Sequence, residues 1–375
     1  MATLCMTMMV RDEADIIRPV IEHHLAQGVD RLIVTDNGSV DGTREILESF
    51  GDDIDLRHDP VHRKQQFSVV TAMAREAYTR YHADWVINAD ADEFWVPRGD
   101  GLTLREVFDR LDPGIRTFAV PVIDMTGAPA AAGSGLQRLT LRDTRPLSRL
   151  HELGLRDHST PDAVHIGQPE IEVAQGNHFV NISPGGTVPD GLELEVLHFP
   201  WRSWRQFSAK VEKSGRAYES NPDLLPSPNH HGMREYRRWK RDALFAYYVI
   251  RHPDADETAR GLADGTLLRD ERISATQASP QPDAELDAND VAAARRYGPM
   301  LVADEREEAD LERRWREREA ELLGYLDEAK HRIDGLLDDV RERDARIREQ
   351  SNQLEATRRR FVVRATDWAA HRIRR

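Results

Sequence analysis

The sequence predicts an α/β protein with a mostly parallel sheet, helices on both sheet faces and a long C-terminal helix. Over residues 1–95, short apolar runs alternate with segments of helical spacing, the pattern of a sheet with crossover helices. From about residue 290 the chain is rich in Glu, Asp and Arg and has no proline after Pro299. That second pattern is typical of a long solvated helix.

Composition excludes several classes of protein. The 375 residues carry a formal net charge of −14, which argues against a general nucleic-acid binder. Cys5 is the single cysteine, so an intramolecular disulfide cannot form. No apolar run reaches the roughly 20 residues needed to span a bilayer. Residues 1–10 lack a basic segment and are interpreted as a first strand, so we expect a cytoplasmic protein.

Four strands and three helices are predicted before residue 95. Each strand is a short apolar run that stops at polar or turn-forming residues, and each helix has apolar residues at helical spacing. The predicted strands are Thr3–Val10, Arg31–Thr35, Ile54–Arg57 and Trp85–Ala89. The predicted helices run from Ala14 to about Gly28, from Arg44 to Phe50 and from Phe67 to Tyr81.

Acidic residues follow the fourth strand directly. Asp90, Asp92 and Glu93 come after the apolar run that begins at Trp85. In an extended chain, residues two apart point to the same side, so Asp90 and Asp92 would face one ligand together. Mg²⁺ and Mn²⁺ prefer carboxylate and phosphate oxygens. The alternative is an acidic, solvated turn with no ligand.

Polar clusters also follow the first two strands, at Arg11–Glu13 and at Asp36–Asp41. In parallel α/β sheets, ligands bind at the carboxyl ends of the strands. Three separate surface loops would not be expected to share that placement. The sequence therefore predicts one ligand site at this edge of the sheet.

Residues 3–95 resemble the nucleotide-sugar-binding half of a GT-A glycosyltransferase, most closely the family-2-like bacterial group. The fold that this resemblance implies is a GT-A (Rossmann-like) sheet. Each motif is weak alone, and the order and spacing together are specific. The motifs are Met9–Glu13, Glu22–Leu25, Gly28–Asp30, Asp36–Ser39, Asp41–Thr43, Gln65-Gln66 and Asp90–Phe94.

The resemblance implies roles for individual residues. Arg11, Asp12 and Glu13 would border the base and ribose of the nucleotide. Asp36 would accept hydrogen bonds from the nucleotide, with capping of the following helix as the alternative. Lys64 would contact the diphosphate, unless it is a solvated surface charge.

The same resemblance implies a site for Mn²⁺ or Mg²⁺. Asp92 would ligate the metal, and Asp90 would face the ribose or the metal. A histidine in the second half of such enzymes often completes the site, and His198, at the end of the run Val196-Leu197, is our choice. His178 is the second choice, and an ordinary structural histidine is the alternative. Lys210 would reach the diphosphate if it is not simply a surface lysine.

Residues 96–250 are expected to form the acceptor half of a domain that spans residues 1–250. Residues Thr117–Ile123 are predicted as an edge strand because Pro121 cannot donate to a neighbouring strand. The stretch Gly127–Gly135 suits a mobile loop or a plain linker. Predicted helices are Leu104–Leu111, Trp204–Tyr218 and Met233–His252. The catalytic base stays unassigned, with weak candidates at Asp124, Asp143, Glu152 and Asp157.

The C-terminal part is expected to contain an irregular linker at 251–290, a long helix or coiled coil at 291–361 and a basic tail at 362–375. Apolar residues recur every seven positions, which is a coiled-coil signal: the helix could form a homodimer or dock on a partner, and a solitary charged helix is the alternative. The tail would attract an anionic membrane surface on the cytoplasmic side. The seven-residue series is Leu326, Ile333, Val340, Ile347, Leu354 and Phe361.

The function predicted from these features is metal-dependent transfer of a sugar from a nucleotide diphosphate sugar to the hydroxyl of a glycan or other acceptor. The resemblance implies an enzyme of the hexosyltransferase type that inverts the anomeric centre. A nucleotidyltransferase is disfavoured because Arg11–Glu13 is not a glycine-rich phosphate loop. The non-catalytic alternative is a nucleotide-sugar-binding scaffold that is recruited through its coiled coil.

Overall fold

The computed structural model describes residues 1–60, 66–99, 101–219 and 231–373. Residues 1–302 form one compact unit and residues 303–375 a second. The expected boundary at residue 250 differs from this division, because the segment 251–290 contains regular elements inside the first unit. Those elements are α9 (Ala255–Asp264), β11 (Leu267–Arg269) and α10 (Arg272–Thr276).

The first sheet has the strand order β3-β2-β1-β4-β9-β6. Its first four strands are parallel, whereas β9 is antiparallel to both β4 and β6. The parallel part and its crossover helices follow the sequence prediction closely. The strands are β1 (Leu4–Val10), β2 (Arg31–Asp36), β3 (Ile54–His58), β4 (Trp85–Ala89), β6 (Thr117–Val120) and β9 (Asp162–Ile166).

Helices cover both faces of this sheet because side chains alternate along each strand. Leu4, Met6 and Met8 of β1 pack in one core with helix α1 (Ile17–Ala26) and with Leu47 of α2 (Thr43–Glu48). Cys5 of the same strand packs in the opposite core, against helix α3 (Gln66–Tyr81). The predicted α/β class with helices on both faces is confirmed.

A second sheet has the order β11-β8-β7-β10-β5. Strands β7 and β10 are parallel, and the other described pairings in this sheet are antiparallel. The predicted strand 117–123 is divided at Pro121 into β6, which lies at the edge of the first sheet, and β7. The remaining strands are β5 (Glu93–Pro97), β7 (Val122–Thr126), β8 (Leu141–Asp143) and β10 (Leu194–His198).

The predicted helix at 233–252 is two helices, α7 (His231–Lys240) and α8 (Leu244–Arg251). Asp242, between them, has a positive φ of 55°, a conformation that cannot continue a right-handed helix. Neither glycine nor proline marks this break in the sequence. The other helices are α4 (Leu104–Arg110), α5 (Leu147–Glu152), α6 (Trp204–Glu219) and α11 (Ala288–Ile373).

The stretch Gly127–Gly135 is tied to a segment from the C-terminal side of the unit. The Ala131 amide donates to the carbonyl of Ala284 over 2.7 Å, and the Gly135 amide donates to Asp283 Oδ1 over 3.0 Å. A Cβ at Gly133 would lie 2.6 Å from Cα of Asp283, so the close approach requires glycine. These contacts hold the stretch against residues 281–284.

The second unit is the continuation of α11, and its apolar seven-residue series is exposed. Leu326, Ile333 and Phe361 expose 66%, 56% and 76% of their surface. The long C-terminal helix is therefore confirmed. Among the residues that the structure describes, no helix has both the length and the apolar character needed to cross a membrane.

Candidate active site

A cavity of about 1410 Å³ lies in the first unit, at the carboxyl ends of β1, β4 and β10. The turn after β1 contributes Arg11–Asp15, and the turn after β4 contributes Asp90–Glu93. Residues 155–160 and the face of α6 that carries Lys210 form further parts of its lining. The polar turns after β1 and β4, which the sequence predicts to form one ligand site, both line this cavity.

Asp92 is 2% exposed and is surrounded by nitrogen atoms from α6 and β10. Its Oδ2 is 3.0 Å from Lys210 Nζ, and its Oδ1 is 3.7 Å from Nε2 of His198. Burial opposes ionisation, but Lys210, His198 and Arg202 together lower the pKa of Asp92 below its ordinary value. Asp92 is therefore an anion that faces the cavity.

His198 is held in place by a carboxylate behind it. His198 and Asp124 are register partners in the parallel pair β10–β7, which brings His198 Nδ1 to 2.9 Å from Asp124 Oδ1. Asp124 is buried, yet the nearby His158 and the hydrogen bond with His198 hold its pKa well below the ordinary value. The ionised Asp124 accepts the Nδ1–H of His198, which leaves Nε2 directed toward Asp92.

Arg202, which is fully buried, joins the three acids that we call the carboxylate cluster: Glu13, Asp15 and Asp92. Its Nε donates to Asp15 over 2.7 Å, one Nη donates to Glu13, and Nη1 lies 3.4 Å from Asp92. Desolvation disfavours the guanidinium charge, but Asp15 and Glu13 raise the pKa of Arg202. One side chain thereby links the turn after β1 to the turn after β4.

Asp90 lines the same cavity but has different partners from those of Asp92. Its Oδ1 accepts hydrogen bonds from Gln66 Nε2 at 2.9 Å and from Asn177 Nδ2 at 3.1 Å. Burial, with added repulsion from Asp92 and Asp162, raises the pKa of Asp90 to about 6. Burial and Asp162 also raise the pKa of Glu93, so neither acid is as readily ionised as Asp92.

At the carboxyl end of β1, the side chains of Arg11, Asp12 and Glu13 all border the cavity. Asp12 receives the Val40 amide over 2.8 Å and pairs with Lys213. Asp36, in contrast, is fully buried and accepts the Ser39 amide over 3.0 Å. Asp36 does not cap α2, because the Thr43 amide at the start of that helix donates to Asp41 Oδ1 over 3.0 Å. Contact of Asp36 with a nucleotide stays a prediction.

Lys64 and His178 are the two other residues predicted to take part in the site. Lys64 lies outside the described residues. His178 lines the cavity, and its Nδ1 is 2.9 Å from Asp162 Oδ1. The hydrogen bond with Asp162 raises the pKa of His178, although desolvation opposes this. Its nearest acid is therefore Asp162 on β9.

The four candidate bases lie in very different surroundings. Asp124 is buried behind His198, and Asp143 is buried against Arg145 at 2.6 Å. Glu152 is exposed and pairs with Arg149. Of these four residues, Asp157 alone lines the cavity, with a side chain that is 64% exposed and pairs with His151.

A second group of charged residues, which we call the arginine cluster, comprises Arg156 and Arg251 beside Trp201 and Arg145, which donates to the Arg251 carbonyl over 2.9 Å. The guanidinium carbons of Arg156 and Arg251 both lie over the indole ring of Trp201, the former at 5.1 Å from its centre. Arg156 lines the cavity. Buried nitrogen atoms without a hydrogen-bond partner occur on all three arginines.

Within the described ranges, no three His, Cys, Asp or Glu side chains are already grouped as a metal site. The donors nonetheless fit a divalent cation in part. Asp92 and His198 supply one oxygen and one nitrogen that face each other, and Asp124 orients the histidine as carboxylates do behind metal-bound histidines. A hard cation on these two ligands would leave positions for phosphate oxygens.

Residues 1–118 match the family model described as glycosyltransferase family 92. The match confirms the resemblance to glycosyltransferases over the predicted nucleotide-sugar-binding half. The family matched is 92, whereas the motifs favoured a family-2-like group. No curated protein matches the chain in sequence.

Solved structures that match this chain include TarS 1–349 of S. aureus in complex with UDP, with 12% identity over 69% of this chain and 78% of that chain and a TM-score of 0.33. They also include glucosyl-3-phosphoglycerate synthase of Mycobacterium tuberculosis with Mn²⁺, UDP-glucose and phosphoglyceric acid. That structure has 17% identity over 68% of this chain and 82% of that chain, with a TM-score of 0.26.

Sequence reasoning missed Arg202 and the positions of Arg145, Arg156 and Arg251. Arg202 follows the conspicuous run His198–Trp201, which was the available signal that this turn carries a role. The arginine cluster has no such signal, because Arg145 and Arg251 are 106 positions apart and its members meet only through the packing of α8 on Trp201.

Proposed function

We propose that this protein is a metal-dependent glycosyltransferase that moves a sugar from a nucleotide diphosphate sugar to an acceptor hydroxyl. The observation that carries the proposal is the facing pair Asp92 and His198, 3.7 Å apart and backed by Asp124. The family match over residues 1–118 supports the same class of reaction. The nucleotide would lie toward Arg11 and Asp12, at the end of β1.

Asp92 and His198 are the residues that would hold Mn²⁺ or Mg²⁺, and Asp90 would bind the ribose through an oxygen. A cation at this position supplies charge that stabilises the leaving diphosphate. Lys210 is half-exposed and lies 3.0 Å from Asp92, so a small change of rotamer would bring its ammonium to a phosphate. Lys213 on the next turn of α6 pairs with Asp12 and is placed to do the same.

Inversion at the sugar carbon requires a single displacement. The acceptor oxygen would bond to the anomeric carbon as the bond from that carbon to the diphosphate breaks. The hydroxyl proton would pass to a carboxylate on the acceptor side. Among the four candidates Asp157 supports this role best, because its carboxylate lines the cavity and is accessible.

The test measures nucleotide binding and sugar transfer in parallel. We expect UDP or GDP to raise the melting temperature in the presence of Mn²⁺, and more weakly after chelation. Asp92→Asn should abolish the Mn²⁺-dependent part of the shift and reduce turnover of the matching nucleotide sugar at least about 100-fold. The control is Asp190→Asn, which changes an exposed acid outside the cavity.

Equal Mn²⁺-dependent binding in wild type and Asp92→Asn would contradict the proposed metal site. Nucleotide-sugar binding without hydrolysis or transfer, over a panel of donors and acceptors, would favour the non-catalytic scaffold instead.

We further propose that α11 forms a homodimer. Its apolar series lies on an otherwise charged helix and is more than half exposed at Ile333 and Ile347, which a second copy would cover. The variant Ile333→Glu with Ile347→Glu should convert a dimer into a monomer in light scattering. A wild type that is already monomeric at high concentration would contradict this proposal.

For the basic tail, we propose contact with anionic lipid. Deletion of residues 362–375 should reduce flotation with vesicles that contain phosphatidylserine. Equal flotation of the shortened and the full chain would exclude the tail as the membrane contact.

A further inference from the structure

The cavity has a surplus of positive charge at the end opposite the nucleotide. Arg156 projects into it from the segment 155–160. In the described part of the chain, no carboxylate lies within ion-pairing distance of the Arg156 guanidinium, and its Nε is buried without a hydrogen-bond partner. The side chain of Asp157, next in sequence, pairs with His151 instead.

The residues behind Arg156 add to this surplus. Arg251 is about nineteen-twentieths buried, and its Nε and Nη2 have no hydrogen-bond partner. The nearest carboxylate oxygen to Arg251 belongs to Asp124, at 3.9 Å from Nη2. Burial lowers the pKa of Arg251 to about 9, and Asp124 offsets this effect only in part. An incompletely neutralised guanidinium in the interior is costly unless an anion approaches it.

The acids in this region already have partners. Asp143 accepts two hydrogen bonds from Arg145, at 2.8 and 2.6 Å. Asp124 accepts hydrogen bonds from His198 and Ser159. His158 Nδ1 lies 3.8 Å from Asp124 Oδ2, and this carboxylate raises the pKa of His158. The fixed charges therefore leave room for an external anion at Arg156.

The order of residues along the cavity separates this end from the donor diphosphate. Arg11 and Asp12 follow β1, Asp92 follows β4, and His198 ends β10 beside Asp124 of β7. Segment 155–160 lies beyond Asp124, since Ser159 hydrogen bonds to that acid over 2.8 Å. Arg156 is thus on the far side of the proposed metal ligands from the nucleotide, where an acceptor would bind.

We propose that the acceptor carries a phosphate group and that Arg156 binds it, with the buried charge of Arg251 as support. This inference rests on the proposed function. A guanidinium offers two parallel N–H groups that match two oxygens of a phosphate. The indole of Trp201 holds the guanidinium plane in place by a cation–π contact. Neutral sugars lack the charge that this cluster would neutralise.

The experiment measures the affinity for inorganic phosphate by calorimetry at constant ionic strength. Arg156→Gln should weaken phosphate binding at least about tenfold, since it removes a charge-assisted bidentate contact. Arg156→Lys keeps the positive charge but lacks the two parallel N–H groups, so its phosphate affinity should be intermediate. The control is Arg205→Gln, because Arg205 lines the same cavity from α6 but is exposed. Its phosphate affinity should stay within about twofold of wild type.

Acetate and UDP complete the design. Acetate should bind the wild type more weakly than phosphate and respond less to Arg156→Gln. Affinity for UDP with Mn²⁺ should be the same in wild type and Arg156→Gln. If neither the wild type nor the variants bind UDP, the proposed function is contradicted. The effect of Arg156→Gln on phosphate affinity can still be interpreted in that case.

Three outcomes would overturn the phosphate subsite. One is equal phosphate affinity in wild type and Arg156→Gln. Another is loss of phosphate binding in Lys210→Gln but not in Arg156→Gln, which would place the anion on the donor side. The third is a lower melting temperature for Arg156→Gln with unchanged phosphate affinity, which would make Arg156 a packing partner of Trp201 only.

Discussion

The carboxylate cluster and the arginine cluster both consist of buried charges, but their charges are balanced differently. In the carboxylate cluster, Glu13, Asp15 and Asp92 share the single buried cation Arg202. In the arginine cluster, Arg251 has no hydrogen bond from its Nε or Nη2, and Arg156 has no ion pair among the described residues. In the first arrangement each carboxylate pairs with at least one cation of the protein, whereas in the second the nearest carboxylate oxygen to Arg251 is 3.9 Å away.

The largest loss of stability should follow from a substitution in the carboxylate cluster. Arg202→Met removes the cation from three carboxylates that are buried or nearly so. Breaking a buried ion pair from one side typically costs about 3–5 kcal/mol. We expect urea unfolding to show a loss of that order. A change below about 1 kcal/mol would mean that Glu13 and Asp15 find other partners.

A pH-dependent effect should appear next to the arginine cluster. His252 is buried with Nε2 at 3.2 Å from the Trp201 carbonyl. Burial, with repulsion from Arg138 and Arg251, lowers the pKa of His252 to about 3. Only the unfolded chain takes up a proton between about pH 6.5 and 3, so this side chain reduces the free energy of unfolding as pH falls.

At pH 5 the expected loss from His252 is about 2 kcal/mol relative to pH 7, from about 1.4 kcal/mol per pKa unit. Urea unfolding of His252→Gln and wild type at both pH values measures it. The stability difference between the two proteins should narrow at pH 5. A constant difference would show that His252 is protonated in the folded protein.

A smaller effect is expected for the carboxylate that lies between the two clusters. Asp124→Asn keeps the shape of the side chain but no longer holds His198 in one tautomer. Removal of such a supporting partner typically weakens metal affinity 10–100-fold. Titration with Mn²⁺ in the presence of UDP should show this loss, while UDP affinity without metal stays the same. Unchanged Mn²⁺ affinity would remove His198 from the metal site.

The smallest effect on stability should come from a substitution in the arginine cluster. Arg251→Met replaces a buried, poorly paired cation by an apolar side chain of similar length. Such replacements are often neutral or stabilising, so the free energy of unfolding should stay within about 1 kcal/mol of wild type or increase. Phosphate affinity should fall modestly at the same time. A clear destabilisation would mean that the contact of Arg251 with Trp201 outweighs its desolvation.

The sequence predicts one side of the cavity far better than the other. Strands β1 to β4 have clear apolar runs and polar ends, so local patterns locate Glu13 and Asp92 at the same edge. The resemblance and the end of an apolar run together point to His198, whose role as a metal ligand stays a prediction. Arg202 was not predicted, since its role depends on two turns that are remote in sequence and meet only after folding.

In residues 251–290, tertiary contacts override local patterns. The segment 251–290 is polar enough to suggest a linker, yet Leu267 and Ile273 are buried, and Arg272 pairs with Glu195 of β10 and with Asp270. Two apolar anchors and an ion-pair network suffice to order it. The average composition of the segment is polar, so it does not indicate the few residues that anchor it.

The tie between residues 131–135 and 283–284 limits how far the protein can be shortened. Gly133 and Gln281 both border the cavity, and the first turns of α11 bury Ala294 and Val302. Truncation at residue 250 would therefore remove one side of the cavity and expose the aromatic side chains of α8. For expression or crystallisation, the minimal enzyme should extend at least to Val302.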